Sequence, residues 1–222
     1  MLKQVQHDIV DVMELIVGLA ILVYSAILHE IAHGYVADRL GDPTARLAGR
    51  LTLDPRPHID PFLSVLLPLL LIISHSPIIF GGAKPVPIDP FNLKEGKKDV
   101  ALVALAGPLT NVILAIIAAL LIHVLSYVSS ASPFLSVVLL FLYLVAQYNL
   151  LLGIFNLLPI PPLDGSKVIA LVLPDREAQI YLSLSKVGIL ILFFLLMFPI
   201  GGFSLQGLIT TLFLFSKNLL GV

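Results

Sequence analysis

Residues 16–33 read Ile16-Val17-Gly18-Leu19-Ala20-Ile21-Leu22-Val23-Tyr24-Ser25-Ala26-Ile27-Leu28-His29-Glu30-Ile31-Ala32-His33: an apolar run that ends in three ionisable side chains. A helix needs about 20 predominantly apolar residues to cross a bilayer, and residues 9–37 supply that length. The whole chain has the same character. Of its 222 residues, 58% are hydrophobic and 12% charged, and its mean hydropathy of +1.03 marks a membrane protein rather than a soluble domain. A net charge of −1 gives no basic excess, so no nucleic-acid partner is expected. There is no cysteine, which rules out disulfides and thiolate metal sites and leaves His, Asp and Glu as the available ligands. The first run continues into the polar motif without a small-residue cleavage pattern, so it reads as a retained span and not a signal peptide.

Further apolar runs cover residues 101–128, 134–158, 181–199 and 203–215. The stretch 61–73 is shorter and Pro68 interrupts it, which suits a re-entrant piece or a shortened span. Arg39, Arg46, Arg50 and Arg56 precede that stretch, and Lys84, Lys94, Lys97 and Lys98 follow it. By the positive-inside rule both flanks are cytoplasmic, the uncharged segment 126–133 is outside, and Lys167, Arg176 and Lys217 return inside. The expected fold is an all-α polytopic membrane protein of a single domain, residues 1–222. It has five spans plus the re-entrant element, or six spans, and a small membrane-associated extended or β segment near residues 81–88. No internal repeat is visible.

The chemistry lies in His29-Glu30-Ile31-Ala32-His33. Residues four apart on a helix are separated by about 40° around the axis and about 6 Å along it, so both imidazoles can reach one ion. Glu30 falls beside them, where it can act as general base without being a ligand. A metal there would bring water to a usable pKa and polarise a carbonyl, which is the chemistry of peptide hydrolysis. Such a pentapeptide can arise by chance on a solvated helix, but inside an apolar span two His and a Glu cost several kcal/mol unless paired.

Zinc at a catalytic site takes three protein ligands and a water, so a third ligand is required. His7, His58, His75 and His123 read as interfacial or loop residues. Asp164 closes Asn156-Leu157-Leu158-Pro159-Ile160-Pro161-Pro162-Leu163-Asp164-Gly165, where three prolines stop the third span at membrane depth. Locally Asp164 fits a helix cap as well as a ligand. The charge-derived orientation favours the ligand, because it brings Asp164 to the same side as the His pair.

HEIAH in an early span together with NLLPIPPLDG at the end of a later one resembles the site-2 protease family of intramembrane metalloproteases. Gly81-Gly82-Ala83-Lys84-Pro85-Val86-Pro87-Ile88 and Ala106-Gly107-Pro108-Leu109-Thr110-Asn111 are also similar to that family's short bacterial and archaeal members. The resemblance covers residues 14–175. It implies one Zn2+ per chain on His29, His33 and Asp164, Glu30 as the catalytic residue, and cleavage of transmembrane protein substrates within or near the bilayer. It further implies a prokaryotic plasma (inner) membrane, with the active site toward the cytoplasmic side. The PDZ or CBS domain that many members carry has no counterpart here.

Asn156 and Asn111 are amides inside spans, suited either to binding substrate or stabilising an oxyanion, or to bonding helix to helix. The stretch 81–88 alternates Pro with Val and Ile and is a candidate added strand for an unwound substrate, or a plain connector. Two other functions fit less well. A metal transporter would place its ligands between repeats, and a silent binding protein would have no use for an intact His-Glu-His set.

Overall fold

The computed structural model describes residues 2–66, 69, 70, 73, 83–128 and 132–222. Its helices are α1 (Leu2–Leu40), α2 (Thr44–Leu47), α3 (Lys97–Val128), α4 (Pro133–Asn156), α5 (Asp164–Val172), α6 (Asp175–Ser183), α7 (Ser185–Met197) and α8 (Leu205–Leu220). Three of these are long and apolar enough to span a membrane: α1 over Ile16–Leu40, α3 over Lys97–Tyr127 and α4 over Pro133–Asn156. They match three of the expected spans and make the chain an integral membrane protein.

The C-terminal third departs from expectation. The run 181–199 does not form one straight helix, because α6 and α7 meet at a 62° bend and count as one further span at most. At the break the Ser183 hydroxyl donates to Ile180 O, and Leu184 N turns back to Tyr181 O. Side-chain hydroxyls that compete in this way weaken helix continuity. Beyond it, α8 has 16 residues, short of a full crossing. Thus among the described residues three helices, or four with the bent pair counted as one span, are long and apolar enough to cross, and the expected five to six spans are not confirmed. Lys217 is also placed differently from the charge rule. Its Nζ donates to Tyr143 OH at 2.8 Å and lies over the Tyr143 ring, and a Cβ on Gly221 would come 2.9 Å from His123 Nε2. The end of α8 therefore sits where α3 finishes and α4 begins, opposite the end that holds Lys97.

Among the described residues no strand forms. Ile200 and Phe203 make an isolated bridge, and the proline-alternating stretch 83–89 joins no ladder. Of the short apolar element, residues 61–66 form a wide helical turn. Most of 67–82, including His75, Gly81 and Gly82, lies outside the described residues.

Helix α3 is central, packed on α1, α4 and α5. Its contacts are made by small residues: Ala101, Ala104, Ala115, Ala118 and Ala119 are at most 3% exposed, as is Ala146 of α4. Within lipid, where apolar burial gives no drive for association, small residues let backbones approach and supply van der Waals contact.

Candidate metal centre

His29 and His33 lie one turn apart on the inward face of α1, 6% and 5% exposed. Asp164 reaches the same point from the first turn of α5. The chain can turn there because Pro159, Pro161 and Pro162 end α4, and because Gly165 has no side chain: a Cβ on it would fall 2.2 Å from Leu157 O. Leu163 takes the cap position with no side-chain bond, so Asp164 does not serve as the helix cap. Its Oδ2 lies 3.0 Å from His29 Nε2 and 3.1 Å from His33 Nε2, and the two Nε2 atoms are 2.9 Å apart. Among the described residues these three form a group whose ligand atoms converge as a metal site requires.

Each ligand is held from behind. His33 Nδ1 lies 2.6 Å from Val103 O, a carbonyl that can only accept, so Nδ1 carries the proton and Nε2 presents a lone pair. His29 Nδ1 lies 2.6 Å from Asn111 Oδ1, which sets the same tautomer. Asp164 Oδ1 accepts from Lys167 Nζ at 3.0 Å, which leaves Oδ2 as its free ligand atom. Two lone pairs and a carboxylate oxygen thus point into one space, the donor set that suits a divalent cation. Gly107 keeps that space open, since a Cβ on it would come 2.5 Å from both Nε2 atoms. The residues present fit a tetrahedral zinc with one position left over.

Glu30 is half-buried beside this group, and its Oε2 accepts the N–H of Val86 at 2.8 Å. The segment that carries Val86 is fixed in turn. Arg50, largely buried, donates through Nη2 to Lys84 O at 2.6 Å, and Lys84 N donates to His58 O at 2.7 Å. The prolines at 85 and 87 have no N–H, so with Lys84 and Val86 engaged the segment has few donors to offer an added strand.

The two candidate amides separate. Asn111 is fully buried behind His29. Asn156 donates to Leu152 O of its own helix at 3.0 Å, and no hydrogen bond joins it to the three ligands. Gly107, Lys167, Arg50, Val103, Ser25 and Asn149 enter the site without having been singled out from sequence. Asn149 and Ser25 carried a readable signal, being polar side chains in apolar runs. The others carried none without the fold.

The peptidase family M50 model matches residues 123–199. YwhC of Bacillus subtilis, provisionally named a zinc metalloprotease, is 36% identical over 186 residues, covering 83% of this chain and 81% of its own. Rip2 of Mycobacterium tuberculosis, named in the same provisional way, is 35% identical over 141 residues, 64% of this chain and 51% of its own length. The zinc metalloprotease MJ0392 of Methanocaldococcus jannaschii is 26% identical over 168 residues, 76% of this chain and 37% of its own. The chain therefore spans most of YwhC but about half of the mycobacterial relative. No solved structure matches it.

Proposed function

The chain belongs to peptidase family M50, and from that premise we propose that it is an integral-membrane zinc endopeptidase that hydrolyses peptide bonds within or near transmembrane segments of other proteins. Such cleavage serves regulated intramembrane proteolysis or the clearance of signal remnants. The observation that carries the reading is the convergence of His29 Nε2, His33 Nε2 and Asp164 Oδ2 within about 3 Å of one another, beside Glu30, on spans that cross a bilayer. These three residues would hold one zinc. When bound, zinc supplies Lewis acidity, activating a water and polarising the scissile carbonyl.

The protein's own groups do the rest. Val103 O and Asn111 Oδ1 hold the Nδ1 side of each imidazole and aim its Nε2 at the shared space. The Val86 N–H holds Oε2 of Glu30, which leaves Oε1 to take the proton of the attacking water and pass it to the leaving amine. The space beside Gly107 lies about 15 Å along α3 from Lys97, at 1.5 Å per residue, so on this reading the reacting bond enters the membrane layer. A helical substrate must unwind there before its amide is open to attack. Asn156, at the end of α4, is the candidate for a direct bond to the substrate backbone. Arg39, Arg46, Arg50 and Arg56, with Lys84, Lys94, Lys97 and Lys98, stand at the end of the bundle where α1 finishes, and this supports a site toward the cytoplasmic side.

The test is zinc content per chain in purified wild type, Glu30→Gln and Asp164→Ala. Wild type and Glu30→Gln should each hold about one zinc and Asp164→Ala nearly none, as a three-ligand site requires. Full retention in Asp164→Ala would refute the site.

A further inference from the structure

We propose that Asn149 and Ser25 are positioning residues for the metal ligand His29, acting through Asn111 by fixing the direction of a chain of hydrogen bonds. The inference rests on the zinc-site reading above. All three side chains are buried, at 1%, 4% and 0% exposed, and each sits on a different spanning helix: Ser25 on α1 one turn before His29, Asn111 on α3 and Asn149 on α4. Polar groups buried in lipid-facing helices are costly unless bonded, and here the amide contacts have a defined direction.

An asparagine amide can face a neighbour with its oxygen or its nitrogen. If Asn111 turned Nδ2 toward His29, that imidazole would have to accept at Nδ1 and carry its proton on Nε2, the atom that faces His33 and Asp164. The ligand would then be blocked. Asn111 is kept from turning because its Nδ2 donates to Asn149 Oδ1 at 2.8 Å and lies 3.4 Å from Ser25 O. Asn149 is held in the same sense: its Nδ2 donates to Val145 O at 2.9 Å and to Ser25 Oγ at 2.9 Å. Val145 O is a backbone carbonyl and can only accept. The direction therefore starts from a group that cannot reverse and runs through Asn149 and Asn111 to the His29 tautomer. Partners that orient a metal-bound histidine commonly govern its affinity by 10–100-fold.

The experiment measures zinc affinity by chelator competition for wild type, Asn149→Leu, Asn149→Ala, Ser25→Ala and Asn149→Asp. Thermal unfolding of each metal-free form is recorded beside it. Asn149→Leu and Asn149→Ala should bind zinc about 10–100-fold more weakly, and Ser25→Ala should lose several-fold. Asn149→Asp keeps the direction in its neutral acid form, whose hydroxyl can donate to Val145 O while its carbonyl accepts from Asn111, and in that form should stay near wild type. Nitrogen-15 histidine spectra of the metal-free protein should show His29 protonated at Nδ1 in wild type and in a mixture of tautomers in Asn149→Ala. Alanine at 149 and at 25 keeps the test open should leucine disturb packing. If wild type holds one zinc and the Asn149 and Ser25 variants bind as tightly, the relay is overturned; equal losses in Asn149→Ala and the neutral acid form of Asn149→Asp overturn it too. If wild type itself holds no zinc, the failure belongs to the proposed function instead.

Discussion

Asp42 and Asp164 are both buried carboxylates, 0% and 6% exposed, yet their surroundings are opposite. Asp42, just past the end of α1, meets donors on every side. Its Oδ1 accepts from Thr44 N at 3.1 Å, Asn92 Nδ2 at 3.0 Å and the Thr44 hydroxyl, and its Oδ2 accepts from Asp89 N at 2.7 Å. That cluster is complete as protein and pins residues 89–92 to α1. Asp164 Oδ2 instead faces two imidazole nitrogens whose protons are committed elsewhere. A carboxylate whose lone pairs are all answered is complete as protein, and one aimed at other lone pairs has the surroundings of a cation ligand. The contrast can be broken or sharpened by substitution.

The largest effect is expected at Gly107. Alanine is a better helix former than glycine by roughly 1 kcal/mol, which offsets part of the strain that a side chain at 107 brings in metal-free form. Its Cβ, however, would lie 2.5 Å from both Nε2 atoms. Zinc content should fall from about one per chain to near none, with unchanged helix content by circular dichroism. Wild-type zinc affinity in this variant would mean that the open space is not the metal's.

Asp42 should show the reverse pattern. Removing its carboxylate leaves several buried donors unanswered, at a cost on the order of 3 kcal/mol, while zinc content should be unaffected. The pH dependence has a definite sign. Burial pushes the Asp42 carboxyl up, but hydrogen bonds from Thr44, Asn92 and the Asp89 N–H outweigh it and hold the group below its ordinary 3.8. A depressed folded value gives stability that is present above the unfolded value and lost as pH falls through the folded one. The gap in thermal stability between wild type and Asp42→Asn should therefore stay constant from neutral pH to about 3.8 and close only below it. A gap that closes well above that value would mean the carboxylate is not held as drawn.

What the sequence disclosed follows the same division. HEIAH was legible because a four-residue spacing on one helix is a local geometric fact, whereas Asp164 read equally as a helix cap until the charge pattern set it on the same side as the His pair. Asn111 was legible as a polar residue in a span, but its direction was not, because only packing decides whether it faces a substrate or the back of His29. Gly107 stood inside a quoted motif without a role, since the cost of a Cβ there depends on two side chains of another helix. The C-terminal hairpin misled twice. Apolar length suggested two more spans where a serine-marked bend and a short helix occur. Lys217 counted as a cytoplasmic charge, although its Nζ donates to Tyr143 OH and lies over the rings of Tyr143 and Phe213 at the other end of the bundle.

The smallest effect in the comparison belongs to Lys167, which distinguishes the two oxygens of Asp164. Its Nζ holds Oδ1 at 3.0 Å, so Oδ2 alone is turned to the histidines. The lysine side chain is 38% exposed, and a pair so open to solvent contributes little to stability. Its value lies in geometry: without it, Asp164 can rotate or offer both oxygens, and the fourth position that a catalytic zinc keeps for water narrows. Lys167→Gln retains a donor without the charge, and Lys167→Met removes both. Zinc affinity should fall by a few-fold in Lys167→Gln and by about tenfold in Lys167→Met, with the metal-free thermal midpoint of each within a degree or two of wild type. If Lys167→Met bound zinc as tightly as wild type, Asp164 would be oriented by its helix alone, and the contrast with Asp42 would reduce to the two imidazoles.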